Sequence, residues 1–404
     1  MSRFLFVVPP LLGHLQPARG IASVLAARGH QIGWVGSESV LRPVLGDDAV
    51  IHRTGSRVHR PQADSGIGSL RSLWQEFIVS YTKFTRRAVA QAVAEFAPDV
   101  LVSDQHTPAG ALAAYQAGLP WATLACSTIE LTRPYAGLPR VEAWIAEQLD
   151  RICAAAGVNP AELGFDLRCS PHLVLWQTTP ELAGPPVPPA DGVEVAQVRQ
   201  VGPCLGPRDD DPPFDWDWLD DALPTVLLTT GTLAAELAGS FVERALAALA
   251  PLAGQLQAVL VADPATVPDP PPHVLVAGRV PMLALLPRLS AVVCHGGLNT
   301  VNEALWFGVP LVVTPIRHDQ PVNASLVAAA GAGIRLPFVR FTPDQLAGAI
   351  RTVLTDDGYR AAARRIGDSF AAAGGSVAAA NHLEGLAETM PTNREPAYAE
   401  SERG

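Results

Sequence analysis

The chain has 404 residues, enough for two domains of ordinary size, and 48% of them are hydrophobic, which is sufficient for full cores. Its formal net charge of −10 argues against a nucleic-acid-binding groove, which needs a basic face.

The chain carries no feature of a membrane or secreted protein. No apolar run approaches the ~20 residues of a membrane-spanning helix, and the first residues lack the basic and apolar regions of a signal peptide. The five cysteines form no CxxC pair and are odd in number, as is typical of free thiols in a reducing compartment. We therefore expect a cytoplasmic protein without integral membrane association, and core packing for Cys294.

The first half alternates short apolar runs with helical segments. A loop after the first run leads to a helix that is predicted to begin near Pro17 and to end at Gly29. The predicted strands are 4–8, 31–35, 100–103, 121–125 and 174–176. Strands separated by helices are typical of a Rossmann-like domain, which we assign to residues 1–202.

A second alternation begins after a stretch rich in proline, glycine and aspartate, residues 203–224, which we interpret as an interdomain linker. The strands predicted beyond it are 225–229, 258–261, 274–277, 291–294 and 311–313. We assign residues 225–390 to a second Rossmann-like domain and residues 391–404 to a disordered tail. The fold class is therefore α/β, with two doubly wound parallel sheets facing a cleft.

The most informative motif follows the strand at 291–294. His295, Gly296 and Gly297 lie at a strand-to-helix turn, where free backbone N–H groups and the helix dipole favour a phosphate. Asn299, Thr300 and Glu303 share one face of the next helix, so their amide, hydroxyl and carboxylate groups can reach a phosphate or a ribose. The pattern predicts a nucleotide site.

This region resembles the donor signature of nucleotide-sugar glycosyltransferases with the two-domain GT-B fold. The similar subgroup is family 1, which contains UDP-glycosyltransferases and the macrolide, antibiotic and carotenoid glycosyltransferases. The resemblance rests on many positions in fixed order between residues 280 and 333, listed as Pro281, Leu286, His295, Gly296, Gly297, Asn299, Thr300, Glu303, Ala304, Leu305, Gly308, Val309, Pro310, Pro315, Asp319, Gln320 and Asn323.

The resemblance extends the predicted donor site beyond the turn. It implies that Gly231 and Thr232 approach the diphosphate, that Arg279 and Val280 lie at the base, and that Asp319 and Gln320 bind sugar hydroxyls. The alternative for Gly231 and Thr232 is an ordinary turn, and the alternative for Arg279 is a solvated loop residue.

His14 and Asp104 are the candidate catalytic residues. His14 follows the first strand and Asp104 ends the strand at 100–103, and ligands of parallel sheets bind beyond the carboxyl ends of strands. A carboxylate that holds an imidazole Nδ1–H prepares the other ring nitrogen to accept a proton. In the resembled family the histidine is the general base and the aspartate orients it. The alternative for Asp104 is a helix N-cap.

Two further motifs have open interpretations. Trp74, Phe77 and Tyr81 recur at helical spacing, so they either line an apolar acceptor pocket or fill the core. Asp215-Trp216-Asp217 is similar to the metal-binding DxD motif of the single-domain GT-A glycosyltransferases, but it lies in the linker. We therefore expect neither a metal nor another cofactor.

The resemblance implies an inverting hexosyltransferase that acts on a nucleotide sugar and a lipophilic natural product. Asn299 stands where users of dTDP-deoxysugars often have glycine, which favours a UDP-glucose-like donor over a dTDP-deoxysugar. A nucleotide-sugar epimerase and a non-catalytic auxiliary protein are the alternatives. Nucleotide-sugar epimerases and retaining transferases usually carry a second glutamate where this chain has Leu311. The leucine therefore disfavours an epimerase and a retaining transferase. The acceptor, the sugar and the oligomeric state, including a homodimer, remain open.

Overall fold

The computed structural model describes residues 1–55, 67–187, 197–206, 208, 211–231 and 238–390.

The first parallel sheet belongs to the amino-terminal half of the chain. The first sheet contains β1 (Arg3–Val7), β2 (Gln31–Gly36), β3 (Val50–Arg53), β4 (Val100–Asp104), β5 (Trp121–Ala125), β6 (Leu173–Trp176) and β7 (Val198–Gln200). Its strand order is β3-β2-β1-β4-β5-β6-β7, and every neighbouring pair is parallel.

The second parallel sheet repeats the same winding. It contains β8 (Thr225–Thr229), β9 (Gln257–Val261), β10 (Val274–Ala277), β11 (Ala291–Cys294), β12 (Leu311–Val313) and β13 (Gly333–Arg335). Its order is β10-β9-β8-β11-β12-β13. The predicted fold class, two Rossmann-like α/β domains, is confirmed.

Helices cover both faces of each sheet. In the first half they are α1 (Leu12–Ala27), α2 (Glu38–Leu45), α3 (Ile67–Arg71), α4 (Ser80–Phe96), α5 (Pro108–Ala117), α6 (Ile129–Thr132), α7 (Pro139–Ala156), α8 (Pro160–Leu163) and α9 (Pro180–Ala183), with a π-helical segment, Ser72–Val79, between α3 and α4. In the second half they are α10 (Ala238–Leu249), α11 (Met282–Leu285), α12 (Leu298–Trp306), α13 (Gln320–Ala329), α14 (Pro343–Thr355), α15 (Asp357–Ala373) and α16 (Gly375–Thr389). Each sheet lies between two apolar clusters, as its nearly continuous apolar central strands require.

The two sheets share a feature that places the functional site. In the first sheet the order reverses between β1 and β4, and in the second between β8 and β11. Connections from these paired strands leave toward opposite faces, so a crevice opens at their carboxyl ends. The two crevices are the expected ligand sites.

The domains meet through hydrogen bonds at this end of the sheets. Thr128, after β5, donates to the Oδ1 of Asn323 at 2.6 Å. The side-chain amide of Asn302 donates to the backbone oxygen of Gln177, after β6, at 2.7 Å. These buried contacts hold α12 and α13 against the carboxyl end of the first sheet.

Three strands were not predicted: β3, β7 and β13 lie at or next to sheet edges. They have four, three and three residues and are only partly buried, so they carry little apolar signal. The first helix begins at Leu12, five residues before the predicted start, with Pro17 inside it. That proline costs a single helical hydrogen bond.

The last helix, α16, returns to the first domain. Ala379, Ala380 and Leu383 are buried in the same cluster as Phe4 and Phe6. On its polar side, Glu384 accepts from Arg28 at 2.5 Å and pairs with His30 at 2.9 Å. The predicted boundaries grouped this helix with the second domain, whereas its packing surface belongs to the first.

Within the described residues, no helix is both long and apolar enough to cross a membrane. The predicted tail at 391–404 lies outside the described residues.

Candidate active site

His14 and Asp104 meet at the switch point of the first sheet. His14 lies in the first turn of α1, which follows β1, and Asp104 is the last residue of β4. The Nδ1 of His14 lies 2.8 Å from the Oδ2 of Asp104. The histidine side chain is 15% exposed and the carboxylate is fully buried. The ring can therefore present its Nε2 to the cleft while the buried Asp104 holds its Nδ1.

Electrostatics favour a charged Asp104 and a basic His14. Burial by itself would lower the pKa of His14, but the charge and hydrogen bond of Asp104 outweigh it and raise the pKa above its ordinary value. Burial opposes ionisation of Asp104, yet His14 and His106 lower the pKa of this carboxyl. The backbone N–H of His106 donates to the Oδ1 of Asp104 at 2.8 Å. Both carboxylate oxygens are therefore satisfied.

His106 is a neighbour that the sequence interpretation missed. Its ring centroid lies 4.9 Å from that of His14. Burial and the adjacent His14 lower the pKa of His106 to about 3, so this ring is neutral at physiological pH. Within the described residues, His14, Asp104 and His106 form the group whose ligand atoms lie close enough to consider a metal ion.

The turn after β11 forms the other half of the site, at the switch point of the second sheet. Gly296 has φ of +85°, and a Cβ there would lie 2.7 Å from the Cγ1 of Val313. Gly297 is the N-cap of α12, so the backbone N–H groups of the first helical turn remain free for a ligand.

The ring of His295 is enclosed by two glycines. A Cβ on Gly231 would lie 2.4 Å from the Cε1 of His295, and one on Gly297 would lie 2.5 Å from its Nε2. Burial, together with the positive charge of Arg317, lowers the pKa of His295 to about 4. A neutral imidazole carries no positive charge, so the contact that His295 can offer to a phosphate is a hydrogen bond.

Glu303 lies on the predicted face of α12 and is almost fully buried. It accepts from the Nδ2 of Asn299 at 2.8 Å and forms an ion pair with Arg208. Burial raises the pKa of Glu303, although Arg208 and Asn299 favour its charged form. In this structure the amide nitrogen of Asn299 contacts the Glu303 carboxylate, and its reach to a phosphate or a ribose stays a prediction. Arg208 comes from the predicted linker, and no local motif identified it.

The loop between β12 and α13 brings Asp319 and Gln320 to the cleft. Burial raises the pKa of Asp319, while a hydrogen bond from Asn323 and the charge of His14 oppose the shift. The backbone N–H of His318 donates to the Oγ of Ser69 at 3.4 Å, so this loop faces the first domain. The Oε1 of Gln320 accepts the backbone N–H groups of Ile316 and Arg317, both at 2.9 Å. That oxygen supports the loop, and the binding of sugar hydroxyls by Gln320 stays a prediction.

Comparison with known proteins shows which class of protein has this arrangement. Residues 246–386 match the family model described as "Erythromycin biosynthesis protein CIII-like, C-terminal domain". The chain is 28% identical to the 4'-demethylrebeccamycin synthase of Lentzea aerocolonigenes, over 95% of this chain and 99% of that protein. The chain is a GT-B glycosyltransferase.

Solved glycosyltransferase structures have the same fold as this chain. The glycosyltransferase of kitacinnamycin superimposes with a TM-score of 0.77 at 24% identity, over 95% of this chain and 98% of its own. The glycosyltransferase VinC, solved in complex with dTDP, gives a TM-score of 0.73 at 21% identity, over 96% and 100% of the two chains. At these identities the structural likeness supports the fold, and the function is argued from the site.

The aromatic residues proposed for the acceptor pocket of the glycosyltransferase are core residues. Trp74, Phe77 and Tyr81 are 2%, 2% and 5% exposed, and they pack in the apolar cluster beneath the first sheet. Phe77 and Tyr81 stack with centroids 5.6 Å apart. The structure therefore supports the core alternative. The helical spacing is the same for a core face and for a pocket wall, so the sequence pattern could not separate them.

Two buried polar residues near His14, Gln105 and Glu130, form a hydrogen-bonded pair. Glu130, at α6, accepts from the Nε2 of Gln105 at 2.8 Å and influences the pKa of His14. Burial raises the pKa of Glu130, while Arg168 opposes the shift. Neither Gln105 nor Glu130 belongs to a recognisable motif, so the sequence interpretation missed them.

The other residues predicted for the donor site, and the DxD motif, complete the description. Thr300 is half-buried in the first turn of α12, and Val280 packs against the second domain after β10. Arg279 is exposed beside it. Thr232 lies outside the described residues. Asp215 and Asp217 are exposed at a short 3₁₀ turn, and neither belongs to a candidate metal cluster of the described chain.

Proposed function

We propose that the protein transfers a sugar from a nucleoside diphosphate to a hydroxyl of a natural-product acceptor, with inversion of the anomeric centre. The observation that carries the proposal is the 2.8 Å contact between His14 and Asp104 at the switch point of the first sheet. The anion-binding turn at Gly296 and Gly297 occupies the equivalent point of the second sheet. A base on one domain and a leaving-group site on the other are what a single displacement requires.

His14 acts as the general base in this proposal. Its Nδ1–H donates to Asp104, so the lone pair of Nε2 is available to the acceptor hydroxyl. As the acceptor oxygen attacks the anomeric carbon, its proton moves to Nε2 and the bond from that carbon to the phosphate oxygen breaks. The ionised Asp104 stabilises the imidazolium that forms. General base catalysis of this kind contributes roughly 10²- to 10⁴-fold.

The donor diphosphate binds at the start of α12 in this proposal. Free backbone N–H groups of the first helical turn and the helix dipole favour an anion there. Glu303, four residues after Asn299 in the same helix, binds the ribose hydroxyls. We propose that no metal or other cofactor is required, because the backbone and the surrounding side chains supply the electrostatic stabilisation.

Two donors are supported by different observations. Asn299 favours UDP-glucose through the family resemblance, although in this structure its amide contacts Glu303. A dTDP-sugar is supported by the structural likeness to VinC, which was solved with dTDP. The likeness to the 4'-demethylrebeccamycin synthase supports a natural-product acceptor. We retain UDP-glucose and dTDP-deoxysugars as the donors to test.

A thermal-shift screen of UDP- and dTDP-sugars in EDTA tests the proposal. A ligand present at about 100 times its dissociation constant should stabilise the fold by about 2.7 kcal/mol. Donors that stabilise the protein should then be hydrolysed slowly in the same buffer, which a non-catalytic auxiliary protein would not do. No stabilisation by either nucleotide class, or hydrolysis that requires added magnesium or manganese, would contradict the proposal.

A further inference from the structure

We propose that Asn323 is a positioning residue for the transfer reaction, and that it holds the donor site in register with His14 and Asp104. The inference rests on the proposed function and deepens it, because it names the contact that aligns a base on one domain with a leaving-group site on the other. The side chain of Asn323, on helix α13, hydrogen-bonds to three partners from separate parts of the molecule.

The amide nitrogen of Asn323 contacts two parts of the proposed donor site. Its Nδ2 donates to the backbone oxygen of Gly296, in the turn after β11, at 2.9 Å. It also donates to the Oδ2 of Asp319 at 2.9 Å. Gly296 belongs to the turn proposed for the diphosphate, and Asp319 is the residue predicted to bind sugar hydroxyls. The two bonds therefore join the diphosphate end of the donor site to its sugar end.

The amide oxygen of Asn323 contacts the first domain. The Oγ1 of Thr128 donates to Oδ1 at 2.6 Å, and neither residue is more than 1% exposed. Thr128 lies three residues after the end of β5, and β5 pairs with β4 so that Leu124 lies opposite Asp104. The bond therefore ends at the edge of the first sheet where Asp104 meets His14.

The three partners allow the amide a single orientation. A backbone oxygen and a carboxylate only accept hydrogen bonds, so the nitrogen of Asn323 faces Gly296 and Asp319, and the oxygen faces the hydroxyl of Thr128. A flipped amide would place its oxygen against two buried acceptors and lose both of those bonds. A shift of the first domain is therefore passed to the donor site through one planar group.

Displacement at the anomeric carbon depends on this alignment. The acceptor oxygen attacks while its proton moves to His14, and the bond to the phosphate oxygen breaks on the opposite side. Groups held by two domains must therefore lie in line, and a misplacement of about 1 Å can cost about 100-fold in rate. In this proposal Asn323 touches none of the reacting atoms and acts through the positions of Asp319 and Gly296.

A second hydroxyl contact between the domains provides a matched control. The Oγ1 of Thr179, the N-cap of α9, lies 2.7 Å from the Oγ of Ser369, on α15. Thr179 is a buried threonine of the first domain, as Thr128 is. Ser369 donates to the backbone oxygen of Ile366, in its own helix. The same threonine-to-valine substitution can thus be made at an interdomain contact whose partner lies on α15 instead of in the donor site.

Hydrolysis of UDP-glucose and dTDP-glucose, with water as the acceptor, tests the proposal together with calorimetry of UDP and dTDP. Thr128→Val removes the hydroxyl and keeps the branched shape. This variant should lower the hydrolytic kcat by about tenfold and leave the Kd of the nucleoside diphosphate within about twofold of the wild type. Thr128→Ser, which keeps the hydroxyl, should restore kcat, and Thr179→Val should leave it within about twofold.

A double-mutant cycle with Asn323→Ala shows whether Thr128 acts through Asn323. Asn323→Ala should lower kcat and also weaken nucleoside diphosphate binding, because it releases Gly296 and Asp319. In that background Thr128→Val should cause no further loss of kcat. Should Thr128→Val unfold, Thr128→Ala takes its place and is compared with Thr128→Ser, from which it differs by the hydroxyl alone.

Four outcomes would refute the role of Asn323. They are an unchanged kcat in Thr128→Val, an equal loss in Thr179→Val, an equal loss from Thr128→Val with and without Asn323, and a Kd that rises by the factor by which kcat falls. A wild type that hydrolyses neither nucleotide sugar would instead refute the proposed function.

Discussion

The donor turn on the second sheet and the base pair on the first sheet occupy equivalent switch points, but they are built differently. The turn consists of consecutive residues, and two of its properties belong to the backbone: the φ of Gly296 and the close approach of Gly297 to His295. The base pair joins His14 to Asp104, which are 90 residues apart in the chain. The comparison teaches that a site made from backbone is recognisable in a short motif, whereas a site made from distant side chains depends on topology.

The largest expected effect separates the two regions by function. His14→Ala should reduce the transfer rate by about 10²- to 10⁴-fold, because the acceptor proton loses its base. Nucleoside diphosphate affinity should stay within about twofold, since the two sites lie on different domains. Steady-state kinetics and a binding titration measure both quantities. His382→Ala, which removes another half-buried histidine, in helix α16, is the control. A variant of His14 that kept more than about a tenth of the rate would refute its role.

The second prediction tests the donor turn through its backbone. Gly297→Ala should weaken nucleoside diphosphate binding by about 10- to 100-fold, because the new Cβ must displace the His295 ring at a typical overpacking cost of 1–3 kcal/mol. Gly348→Ala is the matched control, as a Cβ there meets no atom within 4 Å. Equal affinities for the two variants in calorimetry would show that the glycine is not required.

The same contrast explains what the sequence could predict. Central strands such as β5, β8 and β11 were located correctly, because buried parallel strands are continuous apolar runs. The edge strands β3 and β13 were not, because they are short and partly exposed. Their pairing comes from neighbouring strands and leaves little trace in their own residues.

The site shows the same division between local and tertiary information. His14 and Asp104 were placed by the rule for strand ends. Arg208 could not be found, because it reaches the site only through tertiary packing. His106 was overlooked although it follows the same strand end as Asp104, two residues further on. The buried aromatics, such as Trp74, lie beneath the sheet although their spacing also fitted a pocket wall.

The third prediction concerns pH and sharpens the role of the base pair. Asp104→Asn should lower the plateau of kcat/KM by about 10- to 100-fold, less than the loss of His14 itself. His14 must be neutral to accept a proton, so activity falls as the pH drops through its raised pKa. Without the aspartate charge that pKa decreases, and the acidic limb should move to lower pH. A limb that stayed in place or moved upward would contradict the electrostatic coupling of the pair.

The smallest effect is expected at the ribose end of the donor site. Glu303→Ala should raise the donor KM by about tenfold with little change in kcat, because a ribose contact is equally strong in the ground and transition states. The Asn299 and Arg208 side chains also lose their shared partner. Glu303→Gln preserves the volume of the side chain. Comparing the two variants therefore separates the effect of a lost side chain next to Asn299 and Arg208 from the effect of lost ribose binding. A fall in kcat alone would place Glu303 in a different role.

The most direct test of the account is the anomeric configuration of the product. One base on the first domain and one leaving-group site on the second imply a single in-line displacement, which inverts the centre, whereas retention needs a second displacement or a front-face route. The proton NMR coupling of the anomeric hydrogen distinguishes the two outcomes for a gluco-configured sugar. An α-linked donor should yield a β-linked product with a large coupling. An α-linked product with a small coupling would contradict both the mechanism and the role of His14.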